Sequence, residues 1–282
     1  MIYHFLVIKA GLSGLFYALN ELIIMKFAAC IEYDGTPFFG WQRLSHGSTV
    51  QGHVEQALSQ VAAEPISVVC AGRTDSGVHG IGQVIHFETT AIRPERGWLF
   101  GANAHLPDAI AIRWIQVVSD DFHARFSARF RRYRYIILNR TARPALLQGR
   151  VYWQYAPLDA DAMHQAAQAL IGEHDFSSFR AAGCQARHAV REIMEVRVSR
   201  EQDFIHVDIV ANAFLHHMVR NIVGSLLKVG ADERPVSWIA TLLEQRDRTL
   251  AGITAPAAGL YFVYVDYPAH FGLPTAYTLP AY

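Results

Sequence analysis

Only three cysteines occur in the 282 residues, Cys30, Cys70 and Cys184. They lie far apart and form no C-x-x-C pair, which argues against a disulfide framework or a cysteine zinc site and fits a reducing cytoplasm. Long hydrophobic runs are also missing. In the first 24 residues, MIYHFLVIKAGLSGLFYALNELII, the longest charge-free stretch is the 11 residues from Ala10 to Asn20, whereas a spanning helix needs about 20. The one cation there, Lys9, is internal and no A-x-A pattern follows, so an export signal is not indicated either. Residues 1–24 read as a dispensable extension ahead of a second possible start at Met25, and no membrane is expected as a partner. Low-complexity tracts are lacking too: with 51% hydrophobic and 18% charged residues the chain is globular. Its length favours two domains over one core.

The formal net charge is zero, which hides a segregation. From Phe122 to Leu158 there is no Asp or Glu, while Arg125, Arg129, Arg131, Arg132, Arg134, Arg140, Arg143 and Arg150 all fall there. A second acid-free stretch, Phe176 to Arg191, carries Arg180, Arg187 and Arg191. Aromatic residues alternate with the first cluster at Phe122, Phe126, Phe130, Tyr133 and Tyr135. Guanidinium groups and rings together are the usual means of holding phosphates and unstacked bases, so this cluster is expected to contact RNA.

From Met25 onward strands and helices alternate in two rounds. The first predicts a strand at Phe27–Tyr33, a helix at Thr49–Ala62, strands at Ile66–Arg73 and Gly82–Phe87, a helix at Arg96–Ala104 and a strand at Ile110–Val118. The second predicts strands at Phe130–Leu138, Val190–Val198, Phe204–Val210 and Tyr261–Asp266, with helices at Ala160–Ile171, Leu215–Val229 and Trp238–Leu243. The expected fold is α+β: two similar domains, 25–125 and 126–270, with strands joined across the middle, followed by a tail at 271–282. In the helix from Leu215, adjacent positions diverge by about 100°, so His216 and His217 are not expected to grip one ion, and no metal is expected.

The chemistry concentrates in AGRTDSGVHGIGQVIHF, Ala71 to Phe87. A strand ending at Arg73 and followed by Asp75 can set a cation beside a carboxylate at a loop leaving a sheet, and an ionised carboxylate is a nucleophile. Competing patterns fail here. Gly77, Gly80 and Gly82 give G-x-x-G-x-G rather than a dinucleotide fingerprint, and Ser76 lacks the G-x-S-x-G elbow. Asp34 in EYDGT matches haloacid dehalogenase-like phosphatases weakly, since Glu32 stands where their first Asp belongs.

With EYDGTPFFGWQ, TVQGHVEQAL, FHARFSARFRRYRYIIL, FSSFRAAGCQARHAVREI, FLHHMVRNIVGSLLKVG and APAAGLYFVYVDY, that segment resembles, in order and from Lys26 to Tyr267, the tRNA pseudouridine synthase A family. The resemblance implies isomerisation of uridine to pseudouridine in the anticodon stem-loop of tRNA, at positions 38, 39 and 40, without cofactor, by a homodimer. It implies Asp75 as nucleophile, Arg73 pairing with Asp75 and helping to flip the base, and Tyr133 stacking on the target uracil. It places tRNA contacts at Phe122, His123, Ala124, Arg125 and Phe126 and at Gly183, Cys184, Gln185, Ala186 and Arg187. It also implies domains whose sheets join into one mostly antiparallel sheet, flanked by helices, with the active site in the cleft between them. Residues 1–24 and Arg187-His188-Ala189, where the family more often has Ser and Pro, depart from its pattern. Two other functions stay open at this point: a noncatalytic RNA-binding protein, and a phosphatase using Asp34.

Overall fold

The computed structural model describes residues 24–280; the reading of 1–24 as an extension thus lies, but for its last residue, outside the described residues. One ten-stranded sheet forms the backbone of the molecule. The N-terminal half supplies β1 (Met25–Tyr33), β2 (Val69–Cys70), β3 (His79–Thr89) and β4 (Ile110–Val117), with helices α1 (Val50–Ala62) and α2 (Glu95–His105). The C-terminal half supplies β5 (Phe130–Asn139), β6 (Tyr152–Gln154), β7 (Gly172–Asp175), β8 (Val190–Glu201), β9 (Phe204–Ala211) and β10 (Leu260–Asp266), with α3 (Ala160–Ala167), α4 (Met218–Gly230) and α5 (Trp238–Gln245). The strand order is β4-β1-β3-β10-β5-β9-β8-β7, with β2 on β3 and β6 on β5.

Along this path every pairing is antiparallel except that of β3 with β10, which is parallel and rests on Tyr261 opposite His79 and Phe262 opposite Gly80. The last strand of the chain therefore closes the seam between the halves. The sheet is mostly antiparallel and flanked by helices, as expected. Each half has its own apolar cluster. One is built from N-terminal residues such as Phe27, Leu58, Phe87 and Trp98, the other chiefly from α3, α4, β8 and β9 through Met163, Ile193, Ile209 and Ile222.

Local chemistry explains most boundaries. Thr49 caps α1 by accepting from the Gly52 N–H, and Ala63 ends it in the left-handed conformation. The strand expected at Ile66–Arg73 shrinks to the two residues of β2 because side chains take its backbone groups. Glu55 accepts from the Val68 N–H, and the Gln83 amide donates to the Gly72 carbonyl. The helix expected from Leu215 starts instead at Met218, since His217 sits at φ 61°, a left-handed residue that cannot continue a helix backwards. Likewise α3 stops at Ala167 and passes into a 3-10 turn over Gln168–Leu170. Strand β3 begins at His79, three residues before the expected start, and the short strands β6 and β7 were not expected.

Candidate active site

A cleft of about 830 Å³ opens beside the seam, lined from the N-terminal half by residues of the GRTD loop and from the C-terminal half by Tyr133, Gly183–Ala186 and the turn before α4. Its first wall is a braced loop. The Thr74 carbonyl accepts from the Trp41 N–H at 3.0 Å, the Thr74 hydroxyl meets Tyr33 Oη at 2.8 Å, and Ser76 Oγ donates to the Phe38 carbonyl at 3.1 Å. Gly40 makes this close approach possible. It sits at φ +92°, and a Cβ there would lie 2.8 Å from the Thr74 oxygen. The DGTPFFGW segment, which resembles a phosphatase start only weakly, is thus a brace for the GRTD loop.

Asp75 emerges from this loop half-buried, and the cation expected beside it is a different arginine. Arg73 is exposed and lines the cleft without an ion pair to Asp75 among the described residues. Arg220 of α4 takes that place: its Nη1 donates to Asp75 Oδ2 at 2.9 Å. The expected Arg73–Asp75 pair is corrected accordingly. The first turn of α4 faces the carboxylate across the cleft, and Arg220 reaches it from there. Arg220 is itself fixed, its Nε donating to the Ala255 carbonyl at 2.7 Å while Ala255 N–H donates to the Arg220 carbonyl. This contact needs Gly224 on α4, where a Cβ would lie 1.7 Å from the Ile253 oxygen.

His216 and His217 join the same cluster. Their Nε2 atoms lie 3.5 Å from Asp75 Oδ1 and 3.2 Å from Asp75 Oδ2, respectively. The expectation that the two rings diverge assumed a helix; because both residues precede α4, they face the carboxylate together, with centroids 4.0 Å apart. Their nitrogens and a carboxylate oxygen all fall within 4.8 Å of one another, a donor set that can hold a divalent cation. Burial keeps His217 below its usual pKa against the opposing pull of Asp75.

Tyr133 of β5 lies in the cleft wall, packed edge-on between Phe214 and Phe262 at 4.9 and 4.8 Å. Burial above all, then the neighbouring Tyr33 and Asp75, pushes its phenol well above the ordinary value, which favours the protonated form.

The segments expected to touch tRNA divide. Phe122 and Ala124 are fully buried and offer no surface; His123 is half-buried, while Arg125 and Phe126 are exposed. The loop is held by His86, whose ring nitrogen accepts from the Ala124 N–H and which burial lowers to about 4, keeping it a neutral acceptor. Gly183, Cys184, Gln185 and Ala186 line the cleft, and Arg187 is exposed beyond them. Arg180 shapes this second loop by donating to the carbonyls of Cys184 and Ala186. For Cys184, burial would raise the thiol, but the N–H groups of Ala186 and His216 and the Arg180 charge bring it below its usual value.

Most arginines of the first acid-free stretch are occupied elsewhere. Arg129 pairs with Asp266, Arg132 with Glu195, Arg134 with Asp208, Arg140 with Asp203 and Arg150 with Asp34. Buried Arg131 donates to the carbonyls of Ala71, Arg125 and Asn212. Among the described residues, only Arg125 and Arg143 of the eight have neither an ion pair nor such a burial. Asp34 lies outside the cleft lining, bound by the Thr36 N–H and Arg150.

Sequence reasoning missed Arg220 as a site residue and set His216 and His217 aside as positions that diverge on a helix. The signal was present in FLHHMVRNIVG, which was read as one helix from Leu215.

Comparison with known proteins gives the same direction. A profile for tRNA pseudouridine synthase matches residues 29–127 and 166–268. The chain is 61% identical over 251 residues to the tRNA pseudouridine synthase A of Salmonella paratyphi B, covering 89% of this chain and 93% of that one. The same figures hold for the Salmonella newport protein of that name. Among solved structures, an H/ACA ribonucleoprotein bound to a substrate RNA containing 2′-deoxyuridine aligns over 72% of this chain and 44% of that chain. At 11% identity and a TM-score of 0.34, that likeness carries no weight.

Proposed function

The chain belongs to the tRNA pseudouridine synthase family, it isomerises uridine to pseudouridine in tRNA, and we propose that Asp75 starts the reaction at the ribose of the target nucleotide. The observation that carries this reading is the single carboxylate on a braced loop, lining a cleft of about 830 Å³ and held by Arg220. The conversion breaks the N1–C1′ bond, turns the uracil, and joins C5 to the same carbon. Atoms are conserved, so no redox or energy cofactor enters. The Asp75 carboxylate, by bonding to C1′ or by taking a ribose proton, breaks the N1–C1′ bond, whose electron pair leaves with the uracil. The turned uracil then bonds C1′ through C5 as the bond to Asp75 is released or the ribose proton is returned. The C5 proton passes through the carboxylate to water while its electron pair returns to the ring, and N1 takes a proton from water. Tyr133, favoured in its protonated form, contributes a face.

The target base must leave the RNA stack, which costs a few kcal/mol. Exposed Arg73, beside the cleft mouth, fills the vacated space, and Tyr133 covers the uracil. Arg125, Phe126 and the Gly183–Arg187 loop carry the anticodon arm, with 38, 39 and 40 as target positions. The functional unit is a homodimer of two-domain subunits, divided near residue 125, and it acts in the cytoplasm. The test is release of tritium from tRNA labelled at uracil C5, with the product positions mapped by mass spectrometry. Pseudouridine confined to 38–40 is expected; a protein that binds tRNA and releases no tritium would reduce the reading to a noncatalytic RNA binder.

A further inference from the structure

We propose that Asp75, His216 and His217 form a binding site for a zinc-class divalent cation, and that the cation switches the enzyme off by occupying its catalytic carboxylate. The binding half rests on geometry alone. The inhibitory half rests on the proposed role of Asp75.

The geometry comes from the turn before α4. Left-handed His217 swings two adjacent rings to one side of the chain, opposite the braced aspartate. In a tetrahedral site with bonds of about 2.0–2.1 Å, neighbouring ligand atoms lie about 3.3 Å apart. His216 Nε2 lies 3.5 Å from Asp75 Oδ1 and His217 Nε2 3.2 Å from Asp75 Oδ2, each close to that length though on different carboxylate oxygens. With one atom from each residue the set falls within 4.8 Å, so binding requires rotation of the exposed His216 ring or of the carboxylate to bring all three atoms to one ion. The fourth vertex opens into the cleft and is available to water.

The donor set selects the ion. Two imidazole nitrogens with one carboxylate suit zinc and neighbouring transition metals, whereas magnesium and calcium prefer all-oxygen cages. Arg220 acts in two opposed ways. Its hydrogen bond to Asp75 Oδ2 orients the carboxylate as an outer partner would, yet its charge repels a cation. The site is therefore weaker than a structural zinc site and exchangeable. Metal on Asp75 and a nucleotide on Asp75 exclude each other, so bound tRNA and bound zinc compete.

The experiment uses the full chain stripped with a chelator. Zinc chloride is titrated by calorimetry, and cobalt(II) chloride by its visible absorption. One tetrahedral cobalt per chain is expected, and His216→Gln and His217→Gln should each weaken it by at least the roughly 10-fold that loss of even an outer partner costs. Saturating tRNA should displace the cobalt, and zinc should stop single-turnover tritium release until chelator is added. A zinc-soaked crystal of the unmutated protein keeps the test sound if a variant folds poorly: an anomalous peak among the three side chains supports the site, and a peak elsewhere, or none, overturns it. Cobalt binding that survives both histidine changes also overturns it. A protein that binds zinc here but never acts on tRNA when metal-free would sink the proposed function and spare the site. An active enzyme that binds zinc here without inhibition would overturn the switch.

Discussion

The arginines of β5 and those at the cleft rim stand in opposite electrostatic settings, although one of the rim set, Arg125, comes just before β5 in the chain. On β5 and its flanks, Arg132 and Arg134 meet Glu195 and Asp208 from strands β8 and β9, and Arg129 meets Asp266 from β10. Arg131, between them, is buried and gives its donors to the backbone carbonyls of Ala71, Arg125, Ala128 and Asn212. At the rim, Arg73, Arg125 and Arg187 are exposed and lie on loops. Among the described residues they have no carboxylate partner. Strand pairing spends charge on holding the sheet, and loops leave it available. The cationic surface left without carboxylate partners is therefore narrower than a count of arginines suggests. Arg220 belongs to neither class, because it serves one carboxylate at the bottom of the cleft.

This contrast can be broken or sharpened by substitution. Replacing Arg220 with Gln removes the partner of Asp75, and single-turnover proton release should fall about 1,000-fold with tRNA affinity little changed; a loss no greater than that of Arg73→Gln would erase the distinction between them. Next in size is Arg131→Met, which strands the carbonyls of Ala71, Arg125 and Asn212. Urea unfolding should report a loss of about 2–3 kcal/mol, and a stability unchanged would mean that water replaces the guanidinium. Reversing the two rim charges together, Arg125→Glu with Arg187→Glu, should weaken tRNA binding about 10-fold and reduce the salt slope by roughly 2. A slope like that of the parent protein would remove these loops from the RNA surface. Smallest is Arg132→Gln, expected to cost under about 1 kcal/mol and to leave the salt slope alone, since its pair is partly solvated.

Much of the fold was legible because its elements are long and periodic. Strands β1, β4, β5, β9 and β10 and helices α1, α2 and α4 have strong apolar patterns and lie within a few residues of their expected bounds. The strands β6 and β7 carry too few residues to show a period. In the site, Asp75 was legible from its loop and from the resemblance of the surrounding blocks. Its partner was not, because Arg220 lies 145 positions further along the chain and nothing local points from one to the other. The histidine pair was misread for a single dihedral reason, the left-handed His217. The arginine cluster was misread because its carboxylates arrive by strand pairing, from Glu195, Asp208 and Asp266. An acid-free run in sequence is not an acid-free surface.

The central claim is that one carboxylate does the chemistry. It is tested most directly by Asp75→Asn, which keeps size and turn hydrogen bonding while removing the charge. With enzyme in excess over C5-tritiated tRNA, and binding measured in parallel, the variant should bind tRNA and release no detectable tritium. Substantial release by the folded variant, with deamidation excluded by mass, would contradict the account.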